Sequence, residues 1–308
     1  MIDLRWMVHL LLMPFRWERR IPLVRPHRIN WNPSLPPLTV QVNGRSIFYT
    51  VKGEGEPVLL IHGYGAGMWV WEKQIDYLSQ SYRVYTLDLL GHGFSDRPKI
   101  PYTPETYFNS LKAFMEGVGI KKATLIGNSM GGGIAWGMAI LFPERVHRLV
   151  LINSAPPDVL KQVKNDSFRT LVTIQPIPLL PRLLIASRDQ KSIRLVFEEC
   201  VFDTGKITPQ VLHRQYQLLR IKGTTWVLSS TLRNAGEALK FKSQLSKISA
   251  PTLVIWGEKD LIFPLSVGES LHQDIPISTF KVIEKSGHIP MWETPDEVNG
   301  AILSFLKN

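Results

Sequence analysis

Residues 123–133 read ATLIGNSMGGG, and their interpretation decides the fold. An apolar, β-prone run closes at Gly127, and helically spaced apolar residues begin after Ser129. A serine flanked by glycines at a strand–turn–helix junction is held on a sharp, strained backbone with its hydroxyl above the sheet. A side chain at position 127 or 131 would collide across so tight a turn. Gly132 and Gly133 are read as letting the helix pack closely on the sheet. The helix start supplies free N–H groups and a partial positive charge near a developing oxyanion.

Working outward, short apolar runs of the kind shown by buried parallel strands occupy 58–61, 84–87, 124–126, 149–152, 253–256 and 280–283. Ahead of them, residues 38–42 and 47–51 flank Asn43-Gly44, a hairpin signal. Stretches 69–78, 104–118, 130–142 and 295–306 carry apolar residues at the 3–4 spacing of helices. This alternation predicts an α/β fold, a mostly parallel sheet with helices on both faces. It breaks between about 155 and 232, where the pattern is helical and Pro-punctuated (IQPIPLLPRLL). That stretch is expected to form an inserted helical cap over the carboxyl edge of the sheet, where open α/β sheets bind ligands. The expected organisation is an extension (1–37), a core (38–154 and 233–308) and the cap (155–232).

Serine is a weak nucleophile and needs a base oriented by a third group. His288 follows the last strand, in KVIEKSGHIPMWETP, and Asp260 follows the strand before it, in LVIWGEKDLIFP. Both therefore reach the edge at which Ser129 stands. Glu258 is a rival acid, but W-G-x-x-D places Asp260 further into the loop. An oxyanion hole needs a second N–H from the loop after the third strand. The expected donors are the backbone N–H groups of Tyr64, in HGYGAG, and Met130. His62 and His92 read as structural residues of their loops, and Asp88 as the anchor of the turn DLLGHGFSD.

HGYGAG, DLLGHGFSDRP, GNSMGG, WGEKD and SGHIPMWETP, in this order, resemble the α/β-hydrolase superfamily, from about residue 38 to the C-terminus. The resemblance implies the α/β-hydrolase fold with a cap and a Ser129–Asp260–His288 triad. Haloalkane dehalogenases and epoxide hydrolases share the DLLGHGFSDRP-like segment but place aspartate at the elbow, so Ser129 argues against both. The elbow is similar to that of meta-cleavage-product hydrolases, which break carbon–carbon bonds. Ile289 stands where that group has tryptophan, although Trp292 matches a later position. Of the cap arginines Arg182, Arg188 and Arg194, spacing assigns none to substrate. Carboxylic-ester hydrolysis through an acyl-enzyme is the default expectation. A carbon–carbon hydrolase and a weakly catalytic binding protein are the alternatives. Ile174, Ile177, Leu179, Leu180, Leu183 and Leu184 suggest either an apolar substrate moiety or packing of the cap on the core.

Of 308 residues, 44 % are apolar and 20 % charged, a globular composition with enough apolar material for a sizeable core. Cys200 is the only cysteine, which excludes an intrachain disulfide; its apolar surroundings read it as a buried small hydrophobe. No cofactor or metal is expected, since the triad needs none and no ligand-spaced His/Cys cluster is present. The net charge of +10 is scattered and accompanies no nucleic-acid motif, so no nucleic-acid partner is expected. A local excess lies at the start, where Arg5, Arg16, Arg19, Arg20, Arg25 and Arg28 face only Asp3 and Glu18. The run WMVHLLLMPF (6–15) is far short of the about 20 residues of a spanning helix. RWERR follows where a signal peptide needs small residues. Residues 1–30 thus read as an arm in a membrane interface, an arm packed on the body, or a disordered segment. The expected location is cytoplasmic, with surface association if the arm is interfacial. Oligomeric state is not legible.

Overall fold

The computed structural model describes residues 35–177 and 179–307, so the arm at 1–30 lies outside the described residues. Eight strands form one sheet: β1 (Leu38–Val42), β2 (Arg45–Lys52), β3 (Pro57–Ile61), β4 (Arg83–Leu87), β5 (Ala123–Asn128), β6 (Val146–Ile152), β7 (Thr252–Gly257) and β8 (Ser278–Ile283). Their spatial order is β1-β2-β4-β3-β5-β6-β7-β8. β1 and β2 pair antiparallel, β2 joins β4 antiparallel, and every later pairing is parallel. The hairpin loop has positive φ at both Asn43 and Gly44 (50° and 72°), the geometry that matches the right-handed twist of its strands.

Pleat alternation divides the apolar side chains between two cores. Leu59, Ile61, Leu125, Leu149, Leu151, Val254 and Trp256 feed one face. Val58, Leu60, Ile126, Val150, Ile152, Leu253 and Ile255 feed the other. The first face is covered by α2 (Pro104–Gly117), α3 (Met130–Leu141) and α10 (Leu265–Asp274). α1 (Glu72–Leu78), α11 (Pro290–Glu293) and α12 (Pro295–Lys307) cover the second. α2 begins as its residues require: Pro104 stands in the first turn and Thr103 Oγ1 accepts the Thr106 N–H at 3.2 Å. The stretch expected as one helix over 69–78 is instead a 3-10 turn, Met68–Trp71, followed by α1. All four residues of that turn, two tryptophans among them, are buried.

Between β6 and β7 the chain forms α4 (Val159–Gln162), α5 (Asp166–Ile174), α6 (Leu180–Ser187), α7 (Gln190–Cys200), α8 (Pro209–Arg220) and α9 (Thr224–Asn234). A 3-10 stretch, Ala235–Lys247, then leads back to the sheet. This helical insertion is fastened to the core through α8. Gln215 Nε2 donates to Gly65 O at 2.6 Å and Arg214 Nη1 donates to Glu72 Oε2 at 3.2 Å. No helix among the described residues is long and apolar enough to cross a membrane.

Candidate active site

Ser129 lies between β5 and α3 with φ 53° and ψ −121°. A non-glycine residue held there stores about 1–3 kcal/mol of strain and persists only where its surroundings over-determine it. They do so here. Ser129 N–H donates to Ile152 O at 3.1 Å, and Ser129 O accepts from Gly133 N–H (3.1 Å) and Ala155 N–H (2.9 Å). A Cβ on Gly127 would fall on the Gly131 carbonyl, and one on Gly131 on the Ile61 carbonyl. Gly132 is pressed against Ser154. Gly133, expected to pack equally tightly, would meet nothing nearer than 3.5 Å, so close packing requires glycine only at the first of the pair.

His288 is buried in the loop after β8, and its Nδ1 lies 2.8 Å from Asp260 Oδ2. Asp260, also buried, is saturated with donors: Ile262 N–H (2.8 Å) and Phe263 N–H (3.1 Å) on Oδ1, and Asn153 Nδ2 (2.7 Å) beside His288 on Oδ2. The rival Glu258 points elsewhere, pairing with Lys259 at 3.0 Å, so it does not meet the histidine. Ser129 and His288 open into one cavity of about 230 Å³, together with Tyr64 and Met130. Neither the Tyr64 nor the Met130 backbone N–H donates to an acceptor among the described residues. The cavity wall is otherwise mostly apolar, with Trp69, Phe108, Trp136 and Ile134 from the core and Phe168, Val172, Phe197 and Leu232 from the insertion, and Asn128, Gln215 and Thr231 among its few polar residues.

His62 and His92 are buried beside one another outside that lining. His62 Nε2 accepts the Leu89 N–H at 3.1 Å, which leaves Nδ1–H to donate to Gly63 O at 2.8 Å. Burial pulls both histidines below their ordinary range, and for His92 the neighbouring His62 and Arg97 add to it. Asp88 joins two loops by accepting Met68 N–H and Phe94 N–H, each at 2.8 Å.

Cys200 is partly buried and packs against both cores, in keeping with a small hydrophobe, and it also contributes to the cavity wall; burial and the nearby Asp260 push its thiol pKa up. Of the six aliphatic insertion residues singled out, none lines the cavity. Leu184 and Ile174 join a small core with Leu171 and Leu228, whereas Ile177, Leu179, Leu180 and Leu183 face solvent.

Three residues that sequence reasoning missed tie the site together. Asn128 Nδ2 donates to His288 O (3.0 Å) and Ile152 O (3.1 Å), joining the elbow to the histidine loop. Asn153, at φ 43°, receives Gly257 N–H on Oδ1 while its amide holds Asp260. The asparagine after β6 was a usable signal, because Asn tolerates left-handed backbone better than most residues. Glu293 is buried and accepts Gly287 N–H (2.7 Å) and Asp203 N–H (2.6 Å), linking the histidine loop to the segment after α7. Alongside, His288 N–H donates to Cys200 O at 2.7 Å. Glu293→Gln turns an amide donor toward one of those N–H groups, an uncompensated buried donor costing about 1–3 kcal/mol. The expected outcome is a lower unfolding midpoint and a fall in kcat with little change in KM, read by thermal melts and steady-state rates. Unchanged kcat would show that the loop is held without this residue.

Among the described residues, no group of three or more His, Cys, Asp or Glu side chains is placed to hold a metal ion. A family model described as alpha/beta hydrolase fold matches residues 56–295. Epoxide hydrolase 4 of Mus musculus is 27% identical over 316 residues, covering 96% of this chain and 86% of its own. The meta-cleavage product hydrolase CumD of Pseudomonas fluorescens IP01 superposes with a TM-score of 0.75 at 26% identity, over 88% of this chain and 97% of the other. A membrane phospholipase A superposes with a TM-score of 0.70 at 27% identity, over 89% and 86%.

Proposed function

The chain belongs to the α/β-hydrolase fold family, and on that premise we propose that it is a serine hydrolase cleaving a carboxylic ester with an apolar moiety. The observation that carries this reading is a strained Ser129 opening, with His288, into an apolar cavity beside two uncommitted N–H groups. Ser129 Oγ attacks the ester carbonyl carbon and its proton passes to His288 Nε2. Asp260 holds the histidine with Nδ1–H toward itself, which leaves Nε2 as the acceptor. The negative charge moves onto the carbonyl oxygen, where the Tyr64 and Met130 N–H groups meet it. Collapse of the tetrahedral intermediate expels the alcohol, which takes the proton from His288. Water deprotonated by His288 then attacks the acyl-enzyme and releases the acid and free Ser129.

Ester chemistry is preferred over epoxide opening because a serine, not a carboxylate, stands at the elbow. The similarity to a membrane phospholipase A favours the same choice. A second reading, hydrolysis of a carbon–carbon bond in a ring-fission product, rests on the similarity in fold to CumD. The insertion's Arg188 has Nε and Nη2 buried without a hydrogen-bond partner, but it is not part of the cavity wall.

Initial rates on p-nitrophenyl esters of increasing acyl length, beside a ring-fission dienone, separate the two. Each methylene that enters the apolar cavity adds about 0.8 kcal/mol, or roughly fourfold in kcat/KM, until the cavity is filled. An interior chain-length optimum is therefore expected, with the dienone left untouched. Dienone cleavage with feeble ester rates would transfer the protein to the second reading.

A further inference from the structure

The four aliphatic side chains that neither line the cavity nor pack on the core, Ile177, Leu179, Leu180 and Leu183, are all exposed and lie close together in the chain. Ile177 and Leu179 lie in the turn between α5 and α6, and Leu180 and Leu183 lie one helical turn apart on α6. Their exposure is 50% for Ile177, 60% for Leu179 and 49% for Leu183, values unusual for so many large aliphatics within seven residues. Leu179 also sits at φ 66°, left-handed backbone that favours Gly or Asn, so the tip holds a bulky apolar residue where the backbone alone would choose a small or polar one.

The charge nearest the tip is basic. Residues 167–188 contain no Asp or Glu. Arg182 is part-exposed on α6 and Arg169 exposed on α5, whereas Arg188 has Nε and Nη2 buried, and Asp166 and Asp189 stand just beyond the two ends of the stretch. On the same flank Arg182 and Lys99 both lie over the Trp226 ring, at 5.5 and 5.3 Å, an aromatic–cation grouping that suits a headgroup region. A protein-binding surface would be expected to centre on Trp, Tyr or Arg anchors with mixed charge around them. An aliphatic tip with a basic rim complements an anionic bilayer instead.

We propose that the exposed side chains at the α5–α6 junction, Ile177, Leu179, Leu180 and Leu183, form a peripheral docking surface for an anionic phospholipid membrane. The aliphatic side chains enter the acyl boundary, Arg182 and Lys99 meet phosphate groups, and the insertion that roofs the cavity faces the bilayer. Docking there is independent of which bond Ser129 attacks and is read without turnover.

The test is co-sedimentation of the full chain with phosphatidylcholine vesicles, with and without phosphatidylglycerol. The wild type is compared with a Leu179→Asn/Leu183→Asp double variant. Asparagine suits the left-handed backbone and neither residue touches the cavity, so unfolding midpoint and turnover of a soluble short-chain ester should hold. If that pair does not fold, Ile177→Ser/Leu180→Ser replaces it. Wild-type binding that requires phosphatidylglycerol and weakens by more than about tenfold in the variant is the expected result. Failure of the wild type to bind overturns the proposal. Equal binding by the variant also overturns it, and assigns the membrane contact to another part of the chain. Light scattering that shows a wild-type dimer dissolved by the substitutions would overturn it in favour of a second copy on the tip.

Discussion

Ser129→Ala is expected to lower ester turnover by on the order of 10⁶-fold while leaving the fold intact. The change removes one oxygen and keeps Cβ, so the hydrogen bonds that hold the elbow, all made by backbone atoms of residue 129, survive. Without Oγ no acyl-enzyme forms, and His288 has no alcohol to deprotonate. The residue of activity should come from water placed beside the Tyr64 and Met130 N–H groups, a contribution that survives loss of the nucleophile. KM should move little, because the apolar wall that binds substrate is untouched. Steady-state rates beside thermal melts check both halves: a variant that melts normally and retains more than a thousandth of the wild-type kcat would contradict the assignment.

The second large effect falls on Asp260. Asp260→Asn should reduce kcat by about 10⁴-fold, far more than its small change in shape would suggest. Asp260 receives four hydrogen bonds, two on each oxygen, and every partner donates. An asparagine amide has only one acceptor oxygen. If its NH₂ group faces His288, the imidazole must accept at Nδ1 and carry its proton on Nε2, where the Ser129 proton should go. Turned the other way, the NH₂ group opposes the Ile262 and Phe263 N–H groups and strains the loop. A competing donor inside a buried network costs about 1–3 kcal/mol in stability, so the melting temperature should fall as well. Glu258→Gln, on an exposed carboxyl paired only with Lys259 and the Lys285 N–H, should leave kcat unchanged. A large effect at Glu258 and none at Asp260 would reverse the choice between the two acids.

Most of the sheet was legible because parallel strands covered on both faces are written as short continuous apolar runs, and β3 to β8 stand where those runs lie, while β1 and β2 flank the Asn43-Gly44 hairpin signal. Ser129, His288, Tyr64 and Met130 were legible too, since each follows a strand that ends at one edge, and they do share one cavity. Asp260 was chosen over Glu258 by its reach into the loop, and it is the acid that touches His288.

What escaped was of two kinds. Asn153 reaches Asp260 across 107 residues and Glu293 reaches Asp203 across 90, and no local periodicity records such pairs. The orientation of the insertion was equally hidden. Leu183 and Leu184 are the same residue type side by side, yet one faces solvent and the other joins a small core. Amphipathic spacing shows that a helix has two faces, but when both carry leucine it does not say which turns inward. The aliphatic tip was for that reason assigned to substrate or packing, when it serves neither.

The most direct test of the central claim is covalent. The 308-residue chain would be treated with a fluorophosphonate, its intact mass measured and the adduct mapped by peptide sequencing, with Ser129→Ala alongside. A single adduct on Ser129, absent from the variant and slowed in Asp260→Asn, is the predicted result. An unmodified wild type that is folded, or an adduct that persists in Ser129→Ala, would contradict it and leave the fold without the nucleophile assigned to it.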